Sequence, residues 1–318
     1  MIIVTGGAGF IGSCFVEKLN SEGINDIIIV DSLGHDEKWR NLNGRRFFDY
    51  YHKDHFISLV EKDGLNITVE AVIHMGACSS TVERNAEYLM TNNYRYTKIL
   101  ADWALTNNAR FIYASSAATY GDGSAGYSDN EIILPTFRPL NLYGFSKHAF
   151  DLCALETTAL KKIAGLKFFN VYGPHEHHKG DQASVVYKGF NSIQKTGSIK
   201  LFKSHNDKFK DGEFYRDFVY VKDCVEVMWW FLQNPNINGI YNLGSGKASS
   251  WNDLANAIFE ALSLDPKIEY VDMPEAIRSQ YQYHTEAPMA KLKKAGCPVE
   301  FHSIKEGVKD YVDYLLPD

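Results

Sequence analysis

A doubly wound α/β fold, in which a parallel sheet is covered by helices on both faces, is what this sequence predicts. Two observations predict it. Short runs rich in Ile, Val and Phe alternate with longer amphipathic stretches through the first 170 residues, the rhythm of successive βαβ units. The first run leads directly into GGAGFIG at 6–12, and the second ends on Asp31, nineteen residues after Gly12. A glycine turn between strand and helix, followed by an acidic residue at the next strand end, is the layout of a dinucleotide-binding unit.

MIIVT, DIIIVD, AVIHMGA, RFIYASS and LKFFNVYG read as buried strands bounded by Gly, Asp or Ser. Between them, FIGSCFVEKLNSEG, EYLMTNNYRYTKILADWALTNN and YGFSKHAFDLCALETTALKKI carry apolar residues at helical spacing. After Gly173 the chain turns polar, basic and aromatic as far as KSHNDKFKDGEFYRD. RDFVYVKDCVEVMWWFLQN then resumes helix-like spacing, and GIYNLGSG reads as another core strand. The expected division is a Rossmann-type domain of residues 1–173 plus about 218–246, with a smaller C-terminal substrate-binding domain from about 174–217 and 247–318.

At 318 residues the chain can bury a sizeable core, and 45% hydrophobic with 23% charged residues is ordinary globular composition. A net charge of −6 argues against a general nucleic-acid binder, which needs a concentrated basic face. Apolar stretches such as VMWWFL are too short to span a bilayer. Met1 runs almost directly into a strand with no basic export signal before it, so the cytoplasm is the expected compartment. The five cysteines are scattered and form no CxxC pair, which suggests neither a disulfide framework nor a zinc knuckle.

The glycines Gly6, Gly9 and Gly12 permit a tight turn and bring backbone N–H groups, with Phe10 and Ile11 on the opening helix, to a pyrophosphate. Asp31 is placed to accept hydrogen bonds from an adenosine ribose. It would favour NAD over NADP, yet the following loop supplies Lys38, Arg40, Arg45 and Arg46, with Lys53 beyond. Those cations either hold a 2′-phosphate or simply face solvent, and the residues alone leave both open. Cys78 follows an apolar strand, near enough to approach a ligand, though a small packing residue is the plainer reading.

Tyr143 and Lys147 stand four apart in NLYGFSK, on one helix face. Ser115 and Ser116 end the strand RFIYASS, at the edge where such sheets bind ligands. Surface helices often carry Tyr and Lys at this spacing; the glycine turn and the strand-end serines are what give the pair meaning. At a nicotinamide the three groups form a proton-transfer device. The ammonium and the positive ring are expected to lower the tyrosine pKa from about 10 toward neutrality, which for about three units is roughly 4 kcal/mol. Ser116 then hydrogen-bonds the reacting oxygen while Tyr143 takes its proton.

With GGAGFIG, Asp31, ASSAATYG and Tyr143-x-x-x-Lys147 in place, the sequence resembles the extended short-chain dehydrogenase/reductase family over almost its whole length. GACSST at 76–81, NNY at 92–94, FFNVYGP at 168–174, HKG at 178–180, KLF at 200–202 and RDFVYV at 216–221 narrow the resemblance to the branch that inverts C6 of a nucleotide-activated heptose. That branch belongs to lipopolysaccharide core biosynthesis. The resemblance implies hydride removal from C6, a transient ketone, and hydride return on the opposite face, with one acid/base role for Tyr143 and the other for Lys179. It implies cofactor contacts from Lys38, Lys53, Asn92, Tyr143, Lys147, Val171, Lys179 and the residues Met75, Gly76, Ala77, Cys78 and Ser79, and it favours NADP, with NAD the alternative. For the substrate it implies Ser116, Asn170, Lys188, Phe202, Lys203, Ser204, His205, Arg216 and Tyr281. Arg216 suits a phosphate on chemical grounds as well. A homo-oligomer, often a pentamer, is also implied. The sequence departs from the family pattern at Ser32, Met75, Asp181 and Lys188, where Asn, Glu, Ser and His are common, and in a longer 203–215 stretch; Ser32 remains a cofactor candidate and Asp181 a substrate candidate.

PHEHHKG at 174–180 first suggests a metal site. The histidine spacing in an irregular post-strand loop does not match a helix-face zinc pair, and hydride transfer to a nicotinamide needs none. Lys179 is the chemistry expected there. The rivals are another nucleotide-sugar epimerase or a 4,6-dehydratase on the same fold, and a non-catalytic dinucleotide-sensing regulator. Ala117 and Ala118, which follow Ser116, cannot serve a dehydratase's acid/base elimination, a 4-epimerase does not need Lys179, and retention of all four catalytic candidates opposes the regulator.

Overall fold

The apolar runs pair as neighbours of one another. A computed structural model describes residues 1–35, 37–278 and 282–317. Its strands are β1 (Ile2–Thr5), β2 (Ile27–Asp31), β3 (Asp49–His52), β4 (Ala71–His74), β5 (Arg110–Ser116), β6 (Ala164–Phe168), β7 (Asn170–Tyr172), β8 (Ile199–Phe202), β9 (Tyr215–Tyr220), β10 (Gly239–Leu243), β11 (Ala248–Ser250) and β12 (Ile268–Val271). Seven of them form a parallel sheet in the order β10-β6-β5-β4-β1-β2-β3. The chain direction of build-up reverses beside β1, and ligands bind such sheets at the carboxyl edge of that switch point. β1, β2, β4, β6 and β10 are buried along their whole length, as strands covered on both faces must be.

The helices are α1 (Phe10–Ser21), α2 (Lys53–Glu61), α3 (Ala86–Leu89), α4 (Tyr96–Thr106), α5 (Leu142–Glu156), α6 (Val185–Thr196), α7 (Val221–Gln233), α8 (Trp251–Ala261), α9 (Glu275–Arg278), α10 (Ala290–Lys294) and α11 (Ile304–Leu315). A π-helical turn, Met90–Arg95, joins α3 to α4. Two small sheets lie outside the large one: β7 and β9 run parallel with β11 antiparallel on the far side of β9, and β8 pairs with β12. None of the described helices is long and apolar enough to cross a membrane.

Three segments differ from the sequence reading. LKFFNVYG is two strands: Phe169 N–H bonds to Leu243 O at the edge of the large sheet, and the chain then leaves it to pair with β9. RDFVY is strand, not helix, because β7 and β11 supply partners on its two sides. DYYH, unremarkable in sequence and only partly buried, becomes edge strand β3 by pairing with β2. Long-range partners override local spacing in each case.

Beneath the carboxyl edge, His74 at the end of β4 is wholly buried between the Thr5 hydroxyl (2.6 Å from Nδ1) and the Thr97 hydroxyl (2.8 Å from Nε2). Burial, helped by the Lys147 charge, lowers its pKa from 6.5 to about 3. The unfolded chain therefore binds a proton between those values that the folded protein refuses, and stability falls as pH drops from about 6.5 toward about 3. From this group alone, urea unfolding at pH 5 is expected to give about 2 kcal/mol less stability than at pH 7. His74→Gln should flatten that part of the slope. An unchanged slope would show that His74 does not contribute.

Candidate active site

The glycine turn starts where β1 ends. Gly6 has φ +65° and lies so close to the loop after β4 that a Cβ would sit 2.7 Å from Gly76 N. At Gly12 a Cβ would be 2.1 Å from Gly6 O, so only glycine lets α1 approach the turn this closely. Gly9 precedes α1 and no side chain caps the helix, which leaves the first-turn amides to hold an anion at the positive end of the helix. Asp31, almost fully buried at the end of β2, accepts from Ala8 N (2.9 Å) and Ser32 N (2.7 Å) and pairs with Lys38 Nζ at 2.9 Å.

Three cavities run along this edge. One is lined by Asp31, Ser32, Lys38, Lys53, Cys78 and Asn92, together with Gly76 and Ala77; Lys53 Nζ donates to Asn92 Oδ1 at 2.5 Å. The next runs past Gly6, Gly9, Phe10, Ile11 and Gly12 to Met75, Ser79, Tyr143, Lys147 and Lys179. The third holds Ser116, Tyr143, Asn170, Val171 and Lys179. The cofactor candidates thus converge from the ends of β1, β2 and β4, from α5, and from β7 and the turn after it, and the turn fits a dinucleotide: its glycines clear the space and Asp31 stands at the ribose end.

Ser116, the last residue of β5, hydrogen-bonds the Tyr143 phenol on α5 and also accepts from Ala118 N at 3.1 Å. The lowered tyrosine pKa expected from the sequence belongs to the site with a nicotinamide ring beside Tyr143. Burial pushes its phenol up and the Ser116 hydrogen bond only partly opposes this. Lys147 donates to Ala114 O at 2.8 Å, and burial lowers its pKa to about 8. Lys179 lies on the 3₁₀ turn His177–Gln182, its Nζ 4.8 Å from the Phe10 ring centre and 4.0 Å from Glu176 Oε2. Burial lowers the Lys179 pKa, and Glu176 opposes the shift.

Among the substrate candidates, Arg216 and Asn170 share a cavity with Ser116 and Tyr143. Lys188 and Phe202 line a separate one, of about 330 Å³, between α6, β8 and Trp251 of α8. Asp181 is exposed, and its carbonyl accepts from Lys188 Nζ at 3.1 Å. Lys203, Ser204 and His205 line none of these five cavities. Lys203 pairs with Asp272 at 3.4 Å, Ser204 closes a local turn through Asn206 O and Asp211, and His205 is exposed. Tyr281 lies outside the described residues.

Sequence reasoning missed several residues that hold the site together. Asn93, fully buried in the π turn, bonds both Cys78 N and Cys78 O at 2.9 Å and donates to Ser146 Oγ at 3.0 Å, which sets the loop after β4. Gln182 accepts from Ser79 Oγ at 3.3 Å and ties that loop to the Lys179 turn. Asn41 donates to Ala8 O and His175 O and meets His178 Nδ1 at 3.3 Å. The histidines of PHEHHKG are fasteners of this kind. His175 Nδ1 is 2.9 Å from Ser13 Oγ, and His177 Nε2 is 3.3 Å from Glu37 O. No signal within a short window marks these partners, which come from distant segments.

A glycine turn fit for a dinucleotide, beside Ser116, Tyr143 and Lys147, is the arrangement expected of a nicotinamide-dependent enzyme, and the chain belongs to the NAD dependent epimerase/dehydratase family, whose model matches residues 2–244. The family expected from the motifs is thereby borne out. More particularly, the chain is 55% identical over 316 residues, covering 99% of this chain and 98% of its relative, to an ADP-L-glycero-D-manno-heptose-6-epimerase of Nitratidesulfovibrio vulgaris. Among solved structures it resembles the Helicobacter pylori ADP-L-glycero-D-manno-heptose-6-epimerase, with TM-score 0.82 and 28% identity over 99% of this chain and 95% of that one. It also resembles a Thermus thermophilus UDP-glucose 4-epimerase in complex with NAD, with TM-score 0.76 and 26% identity over 98% of both chains.

Proposed function

We propose that this chain inverts C6 of the heptose in ADP-D-glycero-D-manno-heptose, giving the L-glycero epimer through a transient 6-keto sugar. The observation that carries this reading is the convergence of two acid/base groups from different elements on one cavity: Tyr143 from α5 and Lys179 from the turn after β7, with Ser116 bonded to Tyr143. When bound, the nicotinamide dinucleotide supplies a hydride acceptor that takes the C6 hydrogen and gives it back. Ser116 donates to the C6 oxygen. One of the pair Tyr143 and Lys179 takes the hydroxyl proton as the alcohol is oxidised. Once the ketone presents its other face, the second group returns a proton to the oxygen as hydride returns to carbon, so there is no net redox change. Burial favours the neutral amine of Lys179 and so makes proton uptake accessible. A one-base 4-epimerase would have no use for this lysine.

The cavity between α6, β8 and α8 suits the substrate's nucleotide, with Lys188 for phosphate and Phe202 for the base. On this reading residues 174–217 and 247–318 act as the substrate domain. NADP is the cofactor read here: Lys38 neutralises Asp31, the group that would repel a 2′-phosphate, and Lys53 stands in the same cavity. The reading includes a cytoplasmic homo-oligomer.

Proton NMR of ADP-D-glycero-D-manno-heptose with the purified protein and no added cofactor is expected to show conversion to the L-glycero epimer. Mass spectrometry of the acid-released cofactor should find NADP. No conversion, even with NADP or NAD supplied, would refute the assigned substrate.

A further inference from the structure

We infer that Glu176 is the positioning residue of the second acid/base: it anchors the turn that carries Lys179 and sets a fixed negative charge against its amine. The inference rests on the reading of Lys179 given above. Glu176 has no exposed surface, yet its carboxylate is surrounded by donors from three directions. Ser184, at the start of α6, gives both its N–H (to Oε2) and its hydroxyl (to Oε1) at 2.5 Å. Gly173 N, at the end of β7, donates to Oε1 at 3.5 Å, and Tyr311 of α11 adds its hydroxyl. The segment that leaves β7, carries Lys179 and enters α6 is therefore closed at both ends on one side chain. Lys179 itself sits between those ends, with Nζ 4.0 Å from Oε2.

A residue serving only as a tether would not need to be ionic, since a buried carboxylate carries a large desolvation cost. The charge has a specific counterpart here. Among the described residues, the groups that face Lys179 are Glu176 before it, Phe10 on α1, Lys188 on α6 and Tyr143 across the cavity. Glu176 is the anion in that set. It opposes the desolvation and the Lys188 repulsion that favour the neutral amine, and so keeps Lys179 able both to take and to give a proton. A base that must act in the two directions of a reversible epimerisation needs that balance.

The test reads the Lys179 amine directly and needs no turnover. Intact protein is acetylated competitively with acetic anhydride from pH 6 to 11, and the Lys179 peptide is quantified by mass spectrometry against exposed Lys305. In Glu176→Gln, Lys179 is expected to acetylate at least threefold faster at pH 7, with its midpoint moved to lower pH and Lys305 unchanged. Epimerisation should fall at least tenfold with cofactor content retained. A Lys179 profile that coincides with the wild type would overturn the inference, whatever the epimerase assay shows. Should Glu176→Gln fail to fold, Ser184→Ala carries the test. Loss of one donor leaves more carboxylate charge for Lys179, so acetylation at pH 7 should slow at least twofold, and an unchanged rate would overturn the inference. Absence of heptose conversion by the wild type would instead strike the substrate assignment and leave this result standing.

Discussion

Lys179→Met and Tyr143→Phe are each expected to abolish net epimerisation, with losses of roughly 10²–10⁴-fold, the range for removing a positioned general acid or base. The two groups reach the cavity from different elements, and one cannot take over the other's face without movement of α5 or of the 177–182 turn. Methionine keeps the length and the apolar stem of Lys179 over the Phe10 ring while removing the amine. Phenylalanine keeps the Tyr143 ring and removes only the hydroxyl that Ser116 bonds. Both variants should therefore retain bound dinucleotide and native circular dichroism. NMR conversion of the ADP-heptose is the measurement. Near-normal turnover by either variant alone would mean that one group serves both faces, as in a one-base epimerase.

The largest effect on stability is expected one layer below the site. Lys167 of β6 and Asp151 of α5 form an ion pair at 2.6 Å with no exposed surface on either side chain. Lys167 also donates to Thr119 Oγ1 at 2.5 Å and lies 4.9 Å from the Tyr120 ring centre. Asp151 in turn accepts from Ser115 Oγ at 2.8 Å and from Tyr113 OH at 2.9 Å. The network fastens β5, α5 and β6 directly behind Ser116. Lys167→Met removes one charge and strands the other in the interior, which costs about 3–5 kcal/mol. Lys167→Met combined with Asp151→Leu should recover much of that loss, because a buried pair replaced by apolar groups is often neutral. Urea unfolding of the wild type and these two variants separates these cases. A single-variant cost below about 1 kcal/mol would show that the interior rehydrates or repacks around the orphaned carboxylate.

Much of the site was legible because its signals are local. The spacing of Gly6, Gly9 and Gly12 reports a close approach of helix to turn, and the 2.1 Å clash at Gly12 shows why nothing larger serves. Asp31 and Ser116 end buried strands, and in a parallel sheet every strand ends on the ligand-binding edge. Tyr143 and Lys147 need only helical geometry to lie together. The reading was weaker after Gly173. KSHNDKFKDG has no period to read, and Ser204 and His205, assigned to the substrate by resemblance, form or flank a locally bonded turn.

The sequence by itself determined the parallel sheet and the dinucleotide turn, since each is written in short local windows, and it offered Ser116, Tyr143 and Lys147 as candidates from local spacing, with Lys179 added by resemblance. Only the tertiary structure decided which residues hold those side chains in place. Asn93 meets Cys78, Gln182 meets Ser79, Asp151 meets Lys167 and Tyr311 meets Glu176. The physical reason is the crossover connection. Parallel strands are joined by long excursions that return to the same edge, so the partners of a catalytic group come from remote segments, and their polar character alone cannot distinguish them from solvated surface.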